Sequence, residues 1–153
     1  IEEGYDQIIW TDDTSHEYFE ESGTMNVFVR INDTIYTPPT SEKILDGITR
    51  DSFLQLAKKR GLDVKVEPIA VKTVVEAHKN GTLKEVWGVG TAVVTTVFKA
   101  LGYKGEKLEL PMLSDEESYA VTLKNDLVSL QNNLSEDTFG WRVLVEKDVL
   151  ETA

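Results

Sequence analysis

Short hydrophobic runs separated by polar turn residues dominate the early part of the chain. Residues 5–10 predict a strand with one apolar face, and residues 26–31 have the nearly continuous apolar content of a buried strand. The Asn-Asp pair at 32–33 predicts a hairpin turn into a strand at 34–37, which the prolines at 38–39 would end. The pattern therefore predicts strands that follow one another along the chain.

Helical spacing begins after these strands. A helix is predicted within residues 44–61, because one face repeats at helical spacing at Phe53, Leu56, Ala57 and Arg60. Thr49 suits the N-cap of this helix, Asp51 its first turn and Gly61 its C-terminal stop. A second, shorter helix is predicted at 71–81, where Gly81 closes it.

The second half of the chain also mixes strands and helices. Residues 63–69 alternate as a strand, and residues 84–101 contain two apolar strands around a Gly-Val-Gly-Thr bend. A capping box of Ser114 and Glu117 predicts a third helix, with apolar positions at Ala120, Leu123, Leu127, Leu130 and Leu134. This mixture favours an α/β or α+β domain around a strongly curved sheet, and residues 1–153 are expected to form a single domain.

Composition and charge narrow the possible functions. With 153 residues, of which 41% are hydrophobic, the chain is long enough for one domain with a real core. The net charge of −11 argues against a basic surface for nucleic acid and against attraction to an anionic membrane. The sequence has no cysteine, which excludes disulfides, Cys-zinc sites and thiol catalysis and suits a reducing cytosol.

Two glycine-containing turns are candidate anion sites. In the segment DGIT (residues 46–49), a loop enters a helix and directs unpaired backbone N–H groups and the Thr49 hydroxyl toward one place. That arrangement suits a phosphate, or it is an ordinary capped helix start. In the segment GVGTA (residues 88–92), two glycines allow a ligand close to the backbone and Thr91 adds a hydroxyl, or the segment is a tight bend in a curved sheet.

An acidic bend precedes the apolar run at 26–31. The segment EESGTMN (residues 20–26) places a carboxylate beside apolar strands. Burying a carboxylate is costly without a positive or hydrogen-bonding partner, and a protonated ring nitrogen would be such a partner. The alternative is an exposed acidic turn.

Other candidate residues fit structural roles. Asp12, Asp13 and His16 have metal-ligand chemistry, but a solvated hairpin tip is the expected structure. His78 is expected to cap the end of its helix or to lie on the surface. The three tryptophans are expected to fill the core rather than to stack on ligands: Trp10, Trp87 and Trp141.

Taken in order, these segments resemble the C-terminal half of the branched-chain amino-acid aminotransferases, which are fold-type IV pyridoxal-phosphate enzymes. The resemblance rests on the pieces EESGTMNVF, TPP, ILDGITRDSFLQLAKKRG, GTLKEVWGVGTA and the terminal FGW. Each piece is modestly specific, whereas their order and spacing together are highly specific. The resemblance implies a curved, barrel-like mixed sheet with flanking helices, as in the C-terminal domain of the D-amino-acid aminotransferase-like fold.

The resemblance also implies roles toward the cofactor pyridoxal 5′-phosphate. Glu21 matches the glutamate that bonds to the pyridine nitrogen and keeps it protonated, so that the ring acts as an electron sink. Thr24 and Ala92 match positions near the α-carboxylate of the substrate. The phosphate-binding turns match at Ile48, Thr49, Gly90 and Thr91.

The Schiff-base lysine of the family has no counterpart in this sequence. In the family it lies just upstream of the matched region, so the chain is expected to begin after it, without the smaller N-terminal domain, and to be inactive alone. No catalytic residue and no metal ligand is predicted within the chain. Where some relatives carry a Cys-x-x-Cys pair, this chain has Val93 and Thr96, and no thiol switch is expected. Three lysines are interpreted as surface residues: Lys43, Lys58 and Lys84.

The function implied by the resemblance is the exchange of an amino group between leucine, isoleucine or valine and 2-oxoglutarate. The complete enzyme is expected to be a cytoplasmic homodimer that uses small amino acids and 2-oxo acids and binds neither nucleic acid nor membrane. A D-amino-acid aminotransferase and an aminodeoxychorismate lyase are alternatives within the same fold. A cofactor-free interaction domain is an alternative of another class, although the retention of Glu21, Thr49 and Thr91 argues against it.

Overall fold

The computed structural model describes residues 4–145. The single domain predicted from the sequence spans residues 1–153, and its residues 1–3 and 146–153 lie outside the described residues. The described part of the chain forms nine strands and three helices. The strands are β1 (Ile9–Thr11), β2 (Phe19–Ser22), β3 (Met25–Ile31), β4 (Thr34–Thr37), β5 (Asp63–Val66), β6 (Leu83–Val89), β7 (Thr95–Val97), β8 (Ala100–Tyr103) and β9 (Glu106–Glu109). The helices are α1 (Ile48–Lys59), α2 (Val71–Lys79) and α3 (Tyr119–Gln131).

β3 is the centre of a mixed, seven-stranded sheet. One edge of β3 pairs antiparallel with β6, from Asn26 opposite Val89 to Ile31 opposite Leu83, and β7 continues the sheet beyond β6. The other edge is shared between β2, which pairs with the start of β3, and β4, which pairs with its end. β5 joins β4 in parallel, since α1 provides the crossover between them. The mixed sheet with flanking helices confirms the predicted fold class.

Two hydrophobic cores lie on opposite faces of this sheet, because successive side chains of a strand point to opposite sides. Phe28 of β3 and Trp87 of β6 stack with 5.4 Å between ring centroids, in the core that also contains side chains of α1 and α3. Val27 and Val29, on either side of Phe28, belong to the core that α2 completes. Burial on both faces explains the nearly continuous apolar run at 26–31.

The start of α1 differs from the prediction, whereas the stops of α1 and α2 agree with it. Gly47 is the N-cap and Ile48 the first helical residue, so Thr49 lies inside the first turn and is not the cap. Gly61 and Gly81 follow the two helices with φ angles of 72° and 78°. This left-handed backbone favours glycine and ends a helix.

The start of α3 also lies later than predicted. Ser114 and Glu117 do hydrogen-bond to each other, but in the turn that precedes the helix. The N-cap is Ser118, whose hydroxyl oxygen accepts from the backbone N–H of Val121. The prediction that Leu134 packs on the face of α3 is wrong, because the helix ends before it and the side chain is 78% exposed.

Strand predictions are correct in the centre of the sheet and less so at its edges. The predicted run at 5–10 overlaps the short edge strand β1 only at residues 9–10. The segment 84–101 holds β6 and β7 as expected, but the bend between them lies at 91–94, and the hairpin of β8 and β9 was not predicted.

Among the described residues, none of the three helices has the length and apolar content that a membrane span requires.

The three tryptophans occupy different environments. Trp87 is completely buried in the centre of the sheet, as expected. Trp10 is 55% exposed because β1 is an edge strand with no partner beyond it among the described residues. Trp141 is 36% exposed and stacks on Phe139, so the core prediction is wrong for Trp10 and Trp141.

Candidate functional site

The Glu21 carboxylate lies next to the loop that enters α1. β2 places Glu21 opposite Asn26 of β3, across the turn that joins the two strands. The Oε1 atom of Glu21 accepts hydrogen bonds from the backbone N–H of Leu45 at 2.7 Å and from Nδ2 of Asn26 at 3.2 Å. Among the described residues no hydrogen bond is formed by Oε2. One carboxylate oxygen is therefore held by the protein, and the other is available to a donor from outside the chain.

Asn26 connects this carboxylate to the loop before α1. Its Nδ2 group also donates to the carbonyl oxygen of Leu45 at 2.8 Å, and the residue is only 6% exposed. A Cβ atom at Gly47 would lie 2.2 Å from Oδ1 of Asn26, so only glycine fits there without a shift. Asn26 was not predicted as a site residue, although a polar residue at the start of an apolar strand is a signal for such a role.

The first turn of α1 carries the predicted residues Ile48 and Thr49. The Gly47 N-cap provides no side-chain hydrogen bond. Within the described part of the chain, no hydrogen bond is formed by the backbone N–H groups of Ile48, Thr49 and Arg50. Thr49 is buried, whereas Ile48 is 79% exposed. The free N–H groups and the positive end of the helix dipole make this turn suitable for an anion.

Arg50 adds a buried cation to the same turn. The side chain is 5% exposed, and its Nη2 group donates to the carbonyl oxygen of Pro38 at 2.9 Å. Burial lowers the pKa of Arg50, and the Asp46 carboxylate, 3.8 Å from Nη1, opposes this effect only in part. A cation in a first turn opposes the helix dipole, where acidic residues are usual. That reversal is the sequence signal by which Arg50 could have been found.

The turn between β2 and β3 packs against the end of β6. A Cβ atom at Gly90 would lie 3.4 Å from the carbonyl oxygen of Thr24. At Gly88 it would lie 2.9 Å from the sulfur of Met25, so this buried glycine accommodates Met25 rather than a ligand. The two residues that follow Gly90 are exposed at the rim of this contact: Thr91 and Ala92.

The register of the sheet brings the predicted residues to one end of β2, β3 and β6. Glu21 is opposite Asn26, and Asn26 is opposite Val89, next to Gly90. A hydrogen bond joins Glu21 to the loop before α1, and the backbone of Thr24 lies close to Gly90. In residues 4–145 no hydrogen bond joins Thr91 to Glu21 or to the start of α1, so Thr91 shares this end of the sheet through its neighbour Gly90.

The three lysines do not provide a nucleophile to this site. Lys43 borders the same open groove as Glu21, but its Nζ pairs with the Asp13 carboxylate, which raises the pKa of Lys43. A Schiff-base lysine needs the opposite shift. Lys43 and Lys58 are exposed, as predicted, and Lys84 is partly buried and donates to the carbonyl oxygen of Gly81 at 2.9 Å.

The weaker candidate residues have structural roles. The Asp12 carboxylate accepts hydrogen bonds from Ser15, Glu17 and Tyr18, and these bonds hold an exposed hairpin tip of the expected kind. No group of three or more potential metal ligands occurs among the described residues. Nε2 of His78 lies 2.8 Å from the carbonyl oxygen of Glu109, so this side chain joins α2 to β9 instead of capping its own helix.

Comparison with known families identifies the class of protein. The family model of the class IV amino-transferases matches residues 1–97. The chain belongs to this family, which confirms the family expected from the sequence motifs.

Curated relatives cover most of the chain. The chain is 38% identical over 140 residues to branched-chain-amino-acid aminotransferase 2 of Bacillus subtilis (strain 168), covering 92% of the chain and 38% of that protein. It is 36% identical over 146 residues to a probable branched-chain-amino-acid aminotransferase of Staphylococcus aureus (strain N315), covering 94% of the chain and 40% of that protein. The chain therefore spans about two-fifths of the length of these curated relatives.

Solved structures share the fold. A T.th. branched-chain amino acid aminotransferase, complexed with N-(5′-phosphopyridoxyl)-L-glutamate, has a TM-score of 0.74 at 22% identity, covering 95% of this chain and 44% of its own. A fold IV-transaminase from Curtobacterium pusillum has a TM-score of 0.68 at 21% identity, covering 88% of this chain and 40% of its own. These likenesses confirm the fold implied by the resemblance.

Proposed function

We propose that this chain is the cofactor-binding domain of a larger pyridoxal-phosphate-dependent transaminase that exchanges the amino group of leucine, isoleucine or valine with 2-oxoglutarate. The observation that carries the proposal is the Glu21 carboxylate, held through one oxygen beside the uncapped start of α1. The names of the curated relatives support the substrate class, and their greater length supports a larger enzyme. The homodimer and the cytoplasmic location implied by the resemblance belong to the same proposal.

The donors and acceptors of the site suit pyridoxal phosphate. The cofactor has a phosphate at one end and a basic ring nitrogen at the other, and it supplies an electron sink for the substrate when bound. The free N–H groups at the start of α1 suit the phosphate. The free Oε2 atom of Glu21 suits a protonated ring nitrogen. The phosphopyridoxyl compound in the T.th. structure supports the choice of cofactor.

Each predicted residue has a defined part in this proposal. The phosphate would be held by the backbone N–H groups of Ile48 and Thr49 and by the hydroxyls of Thr49 and Thr91. Glu21 would keep the ring nitrogen protonated by its negative charge. The exposed turn residues Thr24 and Ala92 would lie beside the α-carboxylate of the substrate, with Gly90 fixing the distance between the two turns.

The base that moves the α-proton is expected to come from outside this chain. Transamination requires a lysine with an uncharged amine. Lys43, which borders the groove, is kept protonated by Asp13. We therefore expect the isolated chain not to turn over leucine, whereas the complete enzyme does.

The test uses the complete enzyme, reconstituted with pyridoxal phosphate and given L-leucine without an acceptor. We expect the absorbance of the cofactor to change from that of the aldehyde form to that of the amine form, with one equivalent of the 2-oxo acid of leucine released per site. If D-alanine but not L-leucine converts the cofactor to its amine form, the assignment moves to a D-amino-acid aminotransferase. If the enzyme releases pyruvate from aminodeoxychorismate, the assignment moves to an aminodeoxychorismate lyase. Failure to retain the cofactor would favour an interaction domain.

The role of Glu21 has a matched control on the same strand. Glu21→Gln removes the negative charge but keeps the shape, and we expect kcat/KM for leucine to fall roughly 100-fold, as when one preorganised electrostatic partner is lost. Glu20→Gln changes the neighbouring carboxylate, which forms no hydrogen bond to Asn26 or to the loop before α1 among the described residues. Equal losses for the two variants, measured by steady-state kinetics, would contradict the assigned role.

A further inference from the structure

We propose that Asn26 is a positioning residue that fixes the Glu21 carboxylate relative to the loop entering α1. The inference rests on the proposed function, because it concerns how the contact with the ring nitrogen and the contacts with the phosphate are held in register. Asn26 acts through Glu21 and through the helix start, and both N–H bonds of its amide are used by groups of this chain.

The hydrogen bonds around Asn26 form a closed set. Its Nδ2 group donates to Oε1 of Glu21 at 3.2 Å and to the carbonyl oxygen of Leu45 at 2.8 Å. The backbone N–H of Leu45 donates to the same Oε1 atom at 2.7 Å. Each pair among the three residues is therefore joined by a hydrogen bond. Since Asn26 is 6% exposed, water competes little for these bonds.

The other end of the amide contacts the N-cap of α1. The 2.2 Å that would separate a Cβ atom at Gly47 from Oδ1 of Asn26 shows how closely the backbone of this loop approaches the amide. Gly47 is followed directly by Ile48 and Thr49, whose N–H groups are the proposed phosphate donors. One side chain thus contacts both the proposed partner of the ring nitrogen and the residue that starts the phosphate turn.

The backbone of Asn26 gives this connection a rigid base. It is paired on one side with Glu21 of β2 and on the other with Val89 of β6. A site that is held from paired strands is defined more precisely than one held by loops alone. Without the amide, only the N–H of Leu45 would hold Oε1, and that donor belongs to the loop. A single hydrogen bond would then leave the carboxylate free to turn relative to the helix start.

The experiment compares how the complete enzyme binds pyridoxamine 5′-phosphate and its 1-deaza analogue, which has a CH group in place of the ring nitrogen. The wild type should bind the pyridine compound more tightly, and Asn26→Ala should reduce this preference about 10-fold, as expected for the loss of an outer hydrogen-bond partner. The 15N chemical shift of the bound, ring-labelled pyridoxamine 5′-phosphate should move toward that of the unprotonated ring in the same variant.

Thr37→Val is the matched control. The Thr37 hydroxyl is fully buried and donates to the carbonyl oxygen of Val27 at 2.8 Å, so this variant also loses one buried bond between a side chain and the backbone. It should keep both the preference and the 15N shift of the wild type. If Asn26→Ala does not fold, as judged by circular dichroism, Asn26→Leu replaces it, because leucine has a similar size and no charge, and its side chain has no N–H to donate.

The outcomes separate this inference from the proposed function. A wild type that does not bind pyridoxamine 5′-phosphate, or does not distinguish it from the deaza analogue, would overturn the proposed function itself. A wild type with the preference and an Asn26 variant that keeps it would overturn the positioning role and leave the proposed function standing. Loss of the preference in the Asn26 variant alone supports both.

Discussion

At the scale of the residue, the Asp12 carboxylate organises the loop between β1 and β2. It accepts hydrogen bonds from the backbone N–H groups of Ser15, Glu17 and Tyr18 and from the Ser15 hydroxyl. These bonds, the one from Tyr18 foremost, lower the pKa of Asp12 from its ordinary value of 3.8, because they stabilise the charged form. The loop therefore depends on a charge that is lost in acid.

The sign of the pH effect follows from the lowered pKa. Asp12 stabilises the folded state fully above the pKa of the unfolded chain, about 4, and this contribution disappears as the pH falls toward the lower folded value. Asp12→Asn should be less stable than the wild type at pH 6 and should lose less stability between pH 6 and pH 3. Urea denaturation at several pH values measures this. A variant curve that runs parallel to the wild type would contradict the prediction. The control is Asp115→Asn, which changes an exposed carboxylate in the turn before α3, and a pH effect equal to that of Asp12→Asn would also contradict it.

Residues differ in how far the sequence reveals their roles. Glu21, Thr49 and Thr91 were selected because turn chemistry and the order of motifs are encoded over short stretches. Asn26 and Arg50 were missed because their partners, Leu45 and Pro38, are 19 and 12 residues away in the chain. A buried amide or guanidinium gains its meaning from such partners, and the sequence does not show which distant carbonyl it will meet.

At the scale of the element, the start of α3 is held by a buried carboxylate from β6. Glu85 is 3% exposed and accepts hydrogen bonds from the backbone N–H groups of Tyr119 and Ala120 and from the Ser118 hydroxyl. It also pairs with Arg30 of β3 at 3.0 Å. The negative charge therefore meets both a cation and the positive end of the helix dipole.

Neutralising this charge should destabilise the whole domain. Glu85→Gln keeps the shape but leaves the Arg30 guanidinium, 12% exposed, without its buried counter-ion, and breaking a buried pair in this way costs about 3–5 kcal/mol. Urea denaturation gives the free energy of unfolding. The control is Glu109→Gln, which breaks the exposed pair with Lys107 and should leave the free energy of unfolding almost unchanged. Similar losses in the two variants would exclude the proposed anchoring of α3.

Element boundaries were predictable where one short signal decides them. The stops at Gly61 and Gly81 follow from a left-handed backbone that favours glycine. The start of α3 was placed too early because Ser114 and Glu117 form a local bond that mimics a helix start, whereas Glu85, which lies on another strand, fixes the true start. Tertiary contacts thus selected between two local signals that the sequence offered equally.

At the scale of the whole molecule, the two hydrophobic cores share the same strands. β3 contributes Phe28 to the core with α1 and α3, and Val27 and Val29 to the core with α2. β6 divides in the same way, with Trp87 in the first core and Val86 in the second. The alternation of strand side chains could be predicted from the sequence. The pairing of β3 with three strands, β2, β4 and β6, could not, since it depends on which distant strands meet each edge.

Because the strands are shared, the two cores should unfold in one transition. Leu83, in the core with α2, is 1% exposed, and Leu83→Ala should cost about 2–5 kcal/mol. A background with Trp10→Phe and Trp141→Phe leaves Trp87, in the opposite core, as the only tryptophan, so that its fluorescence reports on that core. Leu83→Ala should lower the urea midpoint of this fluorescence and of the far-ultraviolet circular dichroism equally. Leu56→Ala, which lies in the same core as Trp87, is the control and should do the same. A Trp87 transition that Leu83→Ala leaves unchanged would mean that the cores fold independently and that the sheet does not couple them.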